Sequence, residues 1–113
     1  MSEQLWGLMV ETDAVRRMAN ELRASDLAGT TMPERAREFR LRRAALAQRH
    51  LALHPTDADG IAEAQQSAVL ILGHDAVHAS HRGLVPAWAP QWLRQGAAAG
   101  YVRQEAAAAG IDC

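Results

Sequence analysis

Residues 61–81 read IAEAQQSAVLILGHDAVHASH, the most apolar run in the chain, and three of the five histidines close it. Placed on a helix at about 100° per residue, Ile61, Ala68, Leu72, Ala76 and Ala79 fall along one side, and Glu63, Ser67, His74, His78 and His81 along the other. Val69, Leu70, Ile71 and Val77 fill much of the remaining circumference. That is the pattern of a helix covered by neighbours on more than one side. The run is therefore expected to be the central helix of an all-α fold, with its histidines facing away from the main apolar stripe.

Working back from it, Thr56-Asp57-Ala58-Asp59 has capping-box spacing, and Pro55 disfavours helical geometry at His54. A preceding helix must end there, leaving a connection of about two or three residues, and so short a connection makes antiparallel neighbours. That second helix is expected to start at Thr31-Met32-Pro33-Glu34, another capping-box pattern with proline in the first turn. Met32, Phe39, Leu46 and Leu53 recur every seven residues, a narrow packing seam widened by Ala36 and Ala47. Residues 32–54 carry six arginines against Glu34 and Glu38, net +4, whereas residues 55–81 carry four acids and no arginine, net −4. The two halves of the hairpin are complementary in charge.

Outside the hairpin, Leu5, Leu8, Met9, Val15, Met18 and Leu22 recur at helical steps from Ser2 to about Ser25. Thr12-Asp13 offers an alternative start that would split this first helix. Asp26 to Thr31 reads as a loop. After His81 the pattern breaks into an irregular crossing segment, 82–90, containing Pro86 and Pro90. A last helix is expected over Gln91 to Ala109, stopped by Gly110, with Gly96 and Gly100 either allowing close packing or breaking it. Residues 110–113 form a tail. The fold class is thus a small all-α bundle of about four helices in a single domain, 1–113, with the second and third helices as an antiparallel hairpin.

Composition narrows the function. The 113 residues include 49% hydrophobic and 22% charged ones, enough to bury a core, but only five aromatics. All twelve basic residues are arginine, and the net charge of −1 argues against a generic polyanion binder. The lone cysteine, Cys113, allows neither an internal disulfide nor a cysteine metal box. The first residues lack the basic and apolar segments of a signal peptide, and no stretch approaches the roughly 20 apolar residues of a membrane span. A cytoplasmic protein is expected, with no membrane partner. No serine, cysteine or carboxylate constellation points to an enzyme.

Three candidate sites remain. His50/His54 and His74/His78 are HxxxH pairs, and His81 follows the second. Residues four apart share a helix face, so His74, His78 and His81 are candidate ligands for Zn, Ni or Cu, or for haem, although no cofactor is required by the pattern. In an antiparallel hairpin the two pairs lie too far apart along the axis to meet within one chain. Arg35, Arg42 and Arg49, with Arg43 and Arg37 flanking them, form a basic stripe that nucleic-acid phosphates would fit, or that ion pairs within the hairpin would occupy. Trp88 and Trp92 either cover the open end of the bundle over Leu84 and Leu93 or anchor a protein partner. The leading expectation is a small non-enzymatic accessory or regulatory protein acting through protein contacts as a homo-oligomer. The alternatives are a metal- or haem-binding protein and a nucleic-acid-associated regulator.

Overall fold

In the computed structural model, which describes residues 2–113, the first helix, α1, spans Glu3–Ala28. The Ser2 hydroxyl caps it, accepting the Leu5 N–H at 3.2 Å. Gly29, at φ 71°, ends it in the left-handed conformation, with the Gly29 and Thr30 N–H groups returning to the Asp26 and Ser25 carbonyls. The helix is continuous because the Thr12 hydroxyl bonds back to the Leu8 carbonyl at 2.6 Å instead of starting a new one.

The second helix, α2, spans Pro33–Leu53. The expected cap at Thr31 does not form. Its hydroxyl turns to the Ser25 and Asp26 side chains of α1, and Met32 takes the cap position with no side-chain bond. The third helix, α3, spans Ala58–His78 and starts at Asp57, whose carboxylate accepts the Gly60 N–H at 3.1 Å. It stops before His81, because Ala79 adopts φ 52° and its N–H closes on the Asp75 carbonyl. After the crossing segment comes a 3₁₀ turn, Pro90–Leu93, and then α4, Ala98–Ala109. The last helix is therefore broken, with Gly96 at φ 80°, a conformation glycine adopts at little cost. Gly110, at φ 69°, stops α4 as expected. The Ile111 N–H reaches the Ala106 carbonyl at 2.8 Å and Ile111 packs on the core, so that residue is anchored, contrary to the expected loose tail.

Cross-helix ion pairs fix the topology. Arg42 with Glu11 (3.1 Å) and Arg35 with Glu21 (2.9 Å) set α1 antiparallel to α2. Arg43 with Glu63 (2.7 Å) and Arg37 with Asp75 (2.7 Å) set α2 antiparallel to α3, which is the expected hairpin. The core joins Leu41, Ala44 and Ala45 of α2, Ala68 and Ile71 of α3, and Val102 and Ala106 of α4. Four of these seven are alanines, so the helices approach closely.

The expected central helix is also overturned. The central helix is α2, which packs against all three others, whereas α3 touches only α2 and α4, and α1 touches α2 alone. The arginine-rich sequence of α2 hides this, since small residues occupy its contact faces while its long side chains reach across to acids on the neighbours. The seam shifts accordingly: Met32 is exposed, and the buried residues are Arg37, Leu41 and Ala44 to Ala47. Among the described residues no helix is long and apolar enough to cross a membrane.

Candidate functional site

Two features of α3 stand out, one on its outer face and one at its C-terminal end. The side turned into the bundle carries Ala64, Ser67, Ala68, Ile71 and Asp75. It is neither of the sides the sequence pattern singles out. The opposite side is exposed along its whole length: Ala62, Gln65, Gln66, Val69, Leu70, Gly73, Ala76 and Val77 recur at three- and four-residue steps. Val69 is 59% and Val77 80% exposed, values usual for lysine or glutamate at a helix surface. No charge interrupts this stripe over more than four turns, and a Cβ added at Gly73 would meet nothing. A second helix can approach it closely.

At the C-terminal end the chain buries charge. The Arg37 guanidinium donates to both Asp75 oxygens, from Nε at 2.8 Å and Nη2 at 2.7 Å, and to Glu105 Oε1 at 2.8 Å. The Tyr101 hydroxyl donates to Asp75 Oδ2 at 2.5 Å. Glu105 also accepts the backbone N–H of Arg82 at 2.5 Å and of Gly83 at 2.8 Å. Gln104 pairs with Val85 like a strand neighbour, taking its N–H at 3.2 Å and donating to its carbonyl at 2.8 Å. These bonds dock the crossing segment onto α4. Burial alone would raise the Asp75 carboxyl, but the bonds from Arg37, Tyr101 and His74 outweigh it and hold the carboxyl below the usual carboxylate range. Burial also pushes the Tyr101 phenol up, and its bond to Asp75 adds to that.

The histidine cluster sits against this network. His74 Nδ1 lies 3.2 Å from Asp75 Oδ1, so the neighbouring carboxylate orients its ring. The His74 and His78 rings are 4.6 Å apart, and both line, with His81 and Arg82, a cavity of about 500 Å³. His81 meets the edge of Trp88 at 5.0 Å, and its Nδ1 is buried without a partner. Among the described residues no three histidine, cysteine, aspartate or glutamate side chains converge to hold a metal ion. The hairpin also keeps the histidine pairs apart, since His50 and His54 line a different cavity from His74 and His78.

The other candidates are placed as follows. Arg35, Arg42 and Arg43 are drawn into ion pairs with Glu21 and Glu38, with Glu11 and Glu38, and with Glu63 respectively. That leaves Arg49, which lies over Gly7 of α1, as the member of the stripe with no ion pair among the described residues. The tryptophans do not cover Leu84 and Leu93, which are 100% and 84% exposed. Trp92 instead donates its indole N–H to the Pro86 carbonyl at 3.0 Å and stacks edge-on to Tyr101 at 5.4 Å, its ring lying over Gly100. Trp88 remains 57% exposed.

Asp75, Tyr101 and Glu105 escaped the sequence reading as site residues. The available signal was that Asp75 is an acid inside the most apolar run, level with Arg37 across the predicted hairpin. Comparison of the chain with protein-family models, with curated proteins and with solved structures gives no match.

Proposed function

We propose that the protein is a non-enzymatic accessory or regulatory helical protein that works by protein contact, and that it self-associates through the outer face of α3. The observation that carries this reading is the uncharged stripe from Ala62 to Val77, on a helix whose sequence is that of a core element. Val69, Leu70 and Val77 each contribute on the order of 1–2 kcal/mol when a partner removes them from water. A second copy is the occupant because the stripe matches itself. Packed antiparallel about an axis between Val69 and Leu70, Ala62 faces the partner's Val77, and Gln66 faces the partner's Gly73. Such a two-fold contact is isologous and closes as a dimer, and antiparallel helix dipoles favour it. Exposed apolar stripes of this kind mark interaction sites.

Light scattering after size exclusion tests the reading. Wild type at tens of micromolar is expected to run as a dimer, and Val69→Glu as a monomer with an unchanged far-UV circular dichroism spectrum, because the substitution sets two like charges beside the axis. A monomeric wild type, or a Val69→Glu protein that remains dimeric, would refute it.

A further inference from the structure

The buried charges at the C-terminal end of α3 do not balance. One guanidinium, that of Arg37, serves two carboxylates, Asp75 and Glu105, and among the described residues no other guanidinium reaches either of them. Both acids are fully buried, so water does not screen the excess negative charge. His74 touches this network on one side and lines the cavity of about 500 Å³ on the other. The Asp75 carboxyl is held in its charged form, so at 3.2 Å it accepts the Nδ1 proton of His74 and leaves the lone pair of Nε2 free. His78, one turn further along α3, brings its ring to within 4.6 Å of the His74 ring and lines the same cavity.

We propose that His74 and His78 bind one divalent transition-metal ion of the imidazole-preferring kind through their ring nitrogens, with solvent filling its remaining positions. A carboxylate behind a histidine is the arrangement that orients a metal-binding imidazole and raises its basicity. The pairing of the rings argues for a metal over protons, since two imidazolium ions 4.6 Å apart repel, whereas two neutral rings can share one ion. The site is a clamp of two residues, because among the described residues no three such ligands converge. His81 is turned to the edge of Trp88, and Glu34, which lines the cavity, is exposed and makes no ion pair among the described residues. Of the two arginines lining the cavity, Arg37 is outweighed by its two acids, and Arg82 is exposed, where water and salt screen it. His50 and His54 form no equivalent clamp: His54 is the C-cap of α2 and has left the helix, and no carboxylate bonds either ring among the described residues. Neither His74 nor His78 belongs to the outer stripe of α3, so the site does not rest on the proposed self-association.

Titration of the untagged full chain with Cu²⁺, which imidazole sites hold most tightly among the first-row divalent ions, tests the proposal by calorimetry and electron paramagnetic resonance. The expected result is one ion per chain with the signature of two nitrogen ligands. His78→Ala, at an exposed position, should weaken binding at least tenfold while leaving the helical spectrum unchanged. Asp75→Asn should weaken it by about tenfold or more through the orientation of His74. If that buried substitution unfolds the chain, His78→Ala and His74→Ala decide the matter without it. The double variant His50→Ala/His54→Ala should bind as the wild type does. No stoichiometric uptake of Cu²⁺, indifference to His78→Ala, or loss of the ion from His50→Ala/His54→Ala would overturn the proposal. So would half an ion per chain, since two chains would then complete one site between them.

Discussion

Arg37→Met removes the one cation that serves two buried carboxylates. The arginine side chain is 8% exposed, and those of Asp75 and Glu105 are 0% exposed. Methionine keeps much of the volume, so the loss is electrostatic rather than a cavity. Removing one member of a buried ion pair costs about 3–5 kcal/mol, because the charge left behind has neither water nor a partner. A chain of this length is stable by roughly 6–17 kcal/mol at 0.05–0.15 kcal/mol per residue, so the variant should fold but melt about 15–20 °C lower. The pH dependence carries the sharper test. In the wild type the Asp75 carboxyl lies below its ordinary value, so its contribution is present above about pH 4 and is lost as pH falls through the native value. Without Arg37, burial dominates and the carboxyl moves above its ordinary value. The sign then reverses: the variant is penalised at neutral pH and relieved on acidification as Asp75 takes up a proton. Urea unfolding of both proteins from pH 4.5 to 8 should therefore show the gap narrowing toward acid. A gap under about 1 kcal/mol, or one that does not change with pH, would refute the account of Asp75 as a charge held by Arg37.

Two further substitutions probe the same network from other sides. Tyr101→Phe deletes the hydroxyl that donates to Asp75 at 2.5 Å, and should cost about 1–3 kcal/mol in urea unfolding, as expected for an acceptor left short of one donor. Glu105→Gln replaces an acceptor of two backbone N–H groups with a side chain that presents an amide donor to one of them. Limited proteolysis within 82–90 should accelerate several-fold, with α1 to α3 still protected.

Much of the fold follows from local chemistry. Pro55 beside a cap, with charges of opposite sign on either side of it, is enough for the α2/α3 hairpin, and Gly110 is enough for the end of α4. The Thr31 cap fails because the turn at Gly29 brings its hydroxyl back to Ser25 and Asp26 in the last turns of α1, which compete for it. The choice of central helix is misread for a related reason. Apolar content measures what a helix can bury, whereas position depends on which faces are small enough to be approached, and Ala44, Ala45 and Ala47 give α2 that property. The α3 stripe is missed, because Val69, Leu70 and Val77 read as circumference covered by neighbours and apolar content does not reveal exposure. Asp75 is misjudged because a carboxylate reads as a surface group until Arg37, 38 residues away, and Tyr101, 26 away, are brought to it.

The bond from Arg37 to Glu105 spans 68 residues of chain. The α2/α3 hairpin carries both Arg37 and Asp75, but the shell over that contact comes from α4. Until Tyr101 and Glu105 arrive, the pair is open to water and its core side is uncovered, so the nascent hairpin gains little from being formed early. Folding is thereby deferred to the last helix. A released fragment that ends between Ala79 and Ala98 is therefore expected to leave Arg37 and Asp75 open to water and its core face uncovered.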